Sequence, residues 1–123
     1  MKTIHTAKAP EAIGPYSQAI VHGGLLFTSG QIAINPASGQ VEADTIEGQT
    51  EQVMQNLAAL LEEAGASFDS VIKTPCFLSD MADFAAFNAI YGAYFVSKPA
   101  RSCVAAKQLP KNVLVEVELI AAV

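Results

Sequence analysis

The sequence predicts an α+β domain in which two helices cover one face of a mixed β-sheet. Three observations carry this reading. Two stretches place apolar residues at helical spacing. Several others are rich in β-branched and aromatic residues and are bounded by Gly, Pro or Asn. The order along the chain is roughly β-β-β-α-β-α-β-β, so strand–helix–strand recurs after an opening hairpin. The 123 residues fit one domain, spanning 1–123. With 51% hydrophobic and 15% charged residues, the chain has enough apolar surface to offset the entropy of ordering it.

The hairpin is expected over residues 18–34, with arms Gln18–His22 and Leu25–Ile34. Gly23-Gly24 supplies the positive φ angles of a two-residue turn. Asn35-Pro36-Ala37-Ser38-Gly39 marks a second turn. Asp44 is positioned to cap the first helix, with Glu47 three residues on. Val53, Leu57, Leu60, Leu61 and Ala64 form its apolar stripe, and Gly65 suits its stop. Ser70–Leu78 reads as a strand, and Pro75 within it argues for an edge or a bulge. Ser79 or Asp80 caps a second helix with Phe84, Phe87, Tyr91, Tyr94 and Phe95 on its buried side, ended by Pro99. Strands over Arg101–Ala106 and Val113–Val123 complete the chain. Two helices leave one sheet face uncovered, and the high apolar content makes other subunits the expected cover.

The net charge is −5, Lys and Arg total 7, and no basic run appears. Nucleic acid is bound through clustered cations, so the charge argues against it as a partner. No apolar run approaches the ~20 residues of a membrane span, and Met1–His5 leads into Ala9-Pro10-Glu11 without a secretory apolar core. A cytoplasmic location is the expectation, with Cys76 and Cys103 as reduced thiols. Metal ligation is not expected, because His5 and His22 stand far apart without clustered carboxylates or thiols. Phosphate-cradling glycine loops are absent.

Chemistry concentrates in Pro99-Ala100-Arg101-Ser102-Cys103-Val104 and Val115-Glu116-Val117-Glu118. Val113, Val115, Val117 and Leu119 point one way in the last strand, and Glu116 and Glu118 the other. By pattern alone these glutamates read first as solvated, and Arg101 as a surface or ion-pair arginine. The sharper reading places a carboxylate in a cleft beside Arg101, on adjacent strands, facing one small ligand. Gly30 permits close approach of a ligand or backbone, although a bulge is the commoner use. Tyr16 either walls a pocket or caps the core. Cys103 has no motif to supply it with a base and reads as a small wall residue.

Six segments together resemble the RidA family of reactive-intermediate deaminases, also called L-PSP endoribonuclease-like proteins. They are Ala12–Ala19, Phe27–Ile32, Asp83-Phe84 with Asn88 and Tyr91, Pro99–Val104, Leu109-Pro110 and Val115–Glu118. The similarity runs over essentially the whole length, and Pro75-Cys76 is one departure from it. The resemblance implies a chorismate-mutase-like fold and a homotrimer with sites in the clefts between subunits. It implies that Arg101 binds a substrate carboxylate and Glu116 handles a water. Tyr16, Ser29, Gly30, Asn88 and Cys103 would line the pocket, and Glu118 would carry no catalytic role. The implied reaction is hydrolysis of 2-imino acids, or their enamines, to 2-keto acids and ammonia, without metal or organic cofactor. Two other readings stand beside it: a sensor or chaperone module binding small carboxylates, and an endoribonuclease or translation inhibitor.

Overall fold

Turn chemistry sets the first strands. In the computed structural model, which describes residues 1–123, Gly23 and Gly24 adopt φ of +60° and +76° and join β2 (Ala19–His22) to β3 (Leu25–Thr28). A three-residue β1 (Lys2–Ile4) pairs with β2; three residues are too few to show a period in sequence. The expected long arm Leu25–Ile34 ends at Thr28: Ser29 N makes a last bond to Gln18 O at 2.9 Å, and Gln31 bridges to Val117 instead. The second turn forms as its residues suggest. The side-chain oxygen of Asn35 accepts from the Ala37 amide at 2.9 Å, and the turn joins β4 (Ile34–Asn35) to β5 (Gln40–Val41).

Helix α1 spans Ile46–Glu63. Its cap is Thr45 rather than Asp44: the Thr45 hydroxyl accepts from the Gly48 amide at 3.1 Å. Gly65 ends it as expected, with φ +76° and a closing bond from Ala66 N to Leu61 O. Asp80 caps a short 3-10 turn over Met81–Asp83 by accepting from Ala82 N, and α2 (Phe84–Tyr94) begins after it. Phe87, Tyr91 and Phe95 are buried, while Phe84 and Tyr94 are half-buried.

Between and after the helices come β6 (Val71–Leu78), β7 (Ala100–Ala105), β8 (Val115–Val117) and β9 (Ile120–Ala122). The main sheet runs β1-β2-β3-β9-β6-β7, with β8 also along β6. Only β6–β7 is parallel. The sheet corrects two sequence expectations. First, of the edge or bulge expected at Pro75, the edge is not found: β6 is interior, and its register irregularity against β9 lies earlier, between Val71 and Lys73. Pro75 is tolerated because its carbonyl points at Glu118, accepting from that amide at 3.1 Å. The missing N–H therefore faces the place where pairing passes from β9 to β8. Second, the last strand is two strands, broken at Glu118-Leu119, with Leu119 N donating to the Thr28 side chain at 3.0 Å.

One apolar core lies between both helices and a single sheet face. Val53, Met54, Leu57 and Leu61 of α1 meet Phe87 and Tyr91 of α2 over Leu26, Val71, Leu78, Val115 and Val117. The predicted alternation holds: Val113, Val115, Val117 and Leu119 are all at most 1% exposed. No helix covers the opposite face. There Phe27 is 40% and Val104 51% exposed, so large apolar side chains lie open to solvent in the single chain.

Candidate active site

Register decides where each candidate side chain points. Arg101 is opposite Thr74 and Cys103 opposite Cys76 in the β6–β7 pair, whereas Glu116 is opposite Phe77 in the β6–β8 pair. Side chains alternate along β6. Arg101 and Cys103 therefore share the helix side of the sheet with buried Thr74 and Cys76, and Glu116 stands on the open side. The expectation of one cleft formed by adjacent strands fails within a single chain, because β6 lies between β7 and β8. The candidate residues fall into two separate grooves, except Cys103, which lines neither of them.

The first groove, about 640 Å³, is lined by Tyr16, Ser29, Gly30, Gln31, Glu116 and Glu118 among others. Gly30 leaves room for the carboxylate: a Cβ at this position would stand 2.0 Å from the Glu116 Oε2 and displace it. The carboxylate thus lies directly on the backbone where β3 has ended. The Ser29 hydroxyl donates to the Ser17 carbonyl at 2.6 Å, tying this bend to the segment that carries Tyr16. Buried Gln18 pins the N-terminal segment that walls the groove. Its amide donates to the Thr6 and Pro10 carbonyls at 3.1 and 2.8 Å, and its carbonyl accepts from Thr6 N at 2.8 Å. Burial pushes the Glu116 carboxyl above the ordinary glutamate range, and the negative charge of Glu118 pushes it further. Glu118 was given no role by resemblance, yet it lines the same groove.

The second groove holds Asn88, Tyr91, Lys98 and Arg101. The guanidinium Nη1 of Arg101 donates to the Asn88 side-chain oxygen at 2.6 Å. Its central carbon lies 4.8 Å from the Tyr91 ring centre and 5.3 Å from that of Phe84, contacts worth roughly 0.5–2 kcal/mol each. Arg101 is half-buried and forms no ion pair within the chain. Its remaining donors suit a planar anion such as a carboxylate. Burial raises the Cys103 thiol, partly opposed by Arg101, and raises Cys76 to about 12. Neither is poised as a thiolate nucleophile.

Residues 6–123 match the family described as endoribonuclease L-PSP. The chain belongs to this family, the RidA family. Its relatives carry different names. A Lactococcus lactis protein named a candidate regulator, AldR, is 56% identical, covering 100% of this chain and 98% of its own. The 2-iminobutanoate/2-iminopropanoate deaminase of Escherichia coli K12 is 46% identical, over 98% of this chain and 96% of its own. The solved structure of E. coli TdcF with bound serine has a TM-score of 0.94 at 40% identity, covering 100% of this chain and 99% of the other. The α+β architecture of the RidA family, two helices on a mixed sheet, is therefore the fold found here.

Sequence reading missed two sets of residues in this RidA-family chain. One is the cradle of Arg101 formed by Phe84 and Tyr91, with Thr74 bonded to the Tyr91 hydroxyl behind it; the two aromatic residues stood in the matching segments, but only as helix-stripe residues. The other is the groove wall of Gln18, Gln31 and Glu118. Gln18 was legible as a polar residue at a strand start, and its three-way bonding to a distant segment was not.

Proposed function

We propose that this protein hydrolyses small 2-imino acids and their enamine tautomers to 2-keto acids and ammonia. The observation that carries the proposal is a pair of complementary half-sites on opposite faces of one sheet. Arg101 offers a fork for a carboxylate. Glu116, held by burial in a state that exchanges protons nearer neutral pH, offers a base. Neither half-site is sufficient alone, and both lie at surface grooves. We read the sites as completed between copies in a homotrimer, the open apolar face of each sheet turned toward its neighbours. The 2-iminobutanoate deaminase name of the E. coli relative and the serine bound by TdcF support a small amino-acid-derived ligand.

In this scheme Arg101 binds the substrate carboxylate in two charge-assisted hydrogen bonds, with Asn88 steadying the guanidinium. Tyr16, Ser29, Gly30 and the Cys103 backbone bound the pocket. Glu116 takes a proton as water adds to the imine carbon. It returns that proton to nitrogen, and the carbinolamine collapses to the keto acid and ammonia. Water and imine are consumed one for one, so the reaction needs no redox partner.

A coupled assay tests the proposal. Threonine dehydratase generates 2-iminobutanoate, and 2-oxobutanoate formation is followed with and without this protein. Acceleration supports the proposal; a rate unchanged by stoichiometric protein contradicts it.

Glu118 provides a pH prediction. As a base Glu116 works ionised, so the acidic limb of kcat/KM follows its raised pKa. Glu118→Gln removes the second cause of that rise and leaves burial in place. The acidic limb should move to lower pH, with the plateau rate retained. A limb that stays put, or moves up, contradicts the coupling between the two carboxylates.

A further inference from the structure

Arg101 is the only arginine in the chain, and its guanidinium is held by very little that is charged. Asn88 takes one nitrogen. A single acceptor leaves the guanidinium free to swing about that bond, so the plane of the fork must be set by something else. Two rings flank it, Tyr91 at 4.8 Å and Phe84 at 5.3 Å, and Tyr91 is the nearer. The Tyr91 ring is itself held in two ways. Phe95 packs on it with centroids 4.4 Å apart, and its hydroxyl meets the Thr74 hydroxyl at 2.5 Å. Thr74 is fully buried and sits on β6 directly opposite Arg101.

A buried hydroxyl pair is an unexpected choice for this place. Phe and Val would fill nearly the same volume, and replacing both partners of a buried hydrogen bond by apolar groups is close to neutral for stability. What the polar pair adds is orientation, since it ties the ring to a fixed point of the sheet. We propose that Thr74 and Tyr91 are positioning residues for Arg101: the Thr74 hydroxyl locks the Tyr91 ring, and the ring sets the plane in which the guanidinium meets a carboxylate. This rests on reading Arg101 as the carboxylate clamp. Thr74 is fully buried and lines no part of the groove. The chain of contact runs from the sheet through Thr74 to Tyr91, which lines the groove beside Arg101, and on to the guanidinium that takes the carboxylate.

The single arginine makes a direct test available. In protein carrying isotope-labelled arginine, all arginine side-chain signals in the NMR spectrum belong to Arg101. The wild type should show ring-current-shifted side-chain protons and separate, slowly averaging guanidinium signals. Thr74→Val and Tyr91→Leu should move these signals toward those of free arginine. Thr74→Ser, which keeps the hydroxyl, should restore them. In parallel, 2-oxobutanoate titration should weaken about 3- to 30-fold in Thr74→Val and recover in Thr74→Ser. If Thr74→Val does not fold, Tyr91→Phe removes the same hydrogen bond and should give the same change. Arginine signals unaltered by loss of the hydroxyl pair and of the ring would overturn the proposal. Wild-type protein that fails to bind 2-oxobutanoate contradicts the deaminase reading instead, and the arginine signals still decide the positioning question.

Discussion

Arg101→Ala should remove nearly all deaminase activity while leaving a folded protein. Deleting one partner of a desolvated charge pair costs roughly 2–5 kcal/mol, which corresponds to about 30- to 5,000-fold in kcat/KM at about 1.36 kcal/mol per factor of ten. The fold should survive because Arg101 is half-buried at a groove and no carboxylate in the chain depends on it. Asn88 and the faces of Phe84 and Tyr91 then become open to water. Arg101→Lys should recover only part of the loss, since an ammonium keeps the charge but has neither the fork nor a flat surface for the Tyr91 ring. Kinetics in the dehydratase-coupled assay and circular dichroism of the same preparations check both halves. Normal turnover by Arg101→Ala would remove the carboxylate clamp from the mechanism.

The second large effect is expected at Glu116. Glu116→Gln keeps the volume resting on Gly30 and the capacity to hydrogen-bond, but loses the base. Turnover should fall by roughly 100-fold or more, the scale of a lost general base. Binding of 2-oxobutanoate should persist, because the Arg101 groove is intact. A fall in kcat with binding retained marks an interaction used in the transition state rather than the ground state. Loss of binding in proportion to rate would instead make Glu116 a ligand-binding residue. Binding without turnover in the wild type as well would favour a carboxylate sensor.

How legible this was from sequence depended on how local each cause is. The helices declared themselves through Val53, Leu57 and Leu61 and through Phe87 and Tyr91, because helical spacing is a property of a single segment. Gly23-Gly24 and Gly65 did likewise, because positive φ is a demand made at one residue. The alternation of Val113, Val115, Val117 and Leu119 was read correctly, so the orientation of Glu116 relative to the core was known in advance. The placement of β6 was not. Pro75 reads as the sign of an edge or a bulge, and the switch of partners at Glu118-Leu119 makes it compatible with an interior strand. That switch depends on which strands meet, a tertiary fact with no local signature. The same limit applies to the candidate site. The residue types were visible in two short segments, but their division between opposite faces follows from Arg101 pairing with Thr74 and Glu116 with Phe77. A shift of register by one residue would have put them on one face, still with β6 between them. The Thr45 cap, one residue from the expected Asp44, is an error of a different kind. Both residues can cap a helix, and the choice follows from which side chain meets the Gly48 amide.

If Arg101 of one copy and Glu116 of another act on one substrate, defects in the two half-sites should complement each other. Co-expression of Arg101→Ala and Glu116→Gln subunits tests it most directly. Each variant alone should be nearly inactive. In any mixed trimer whose sites lie at the junctions, one junction joins an intact Glu116 groove to an intact Arg101 groove. Equal, random mixing should therefore restore about a quarter of wild-type activity in trimers verified by sedimentation equilibrium. A mixture that stays as inactive as either parent, under conditions where wild-type protein accelerates imine hydrolysis, would contradict the account.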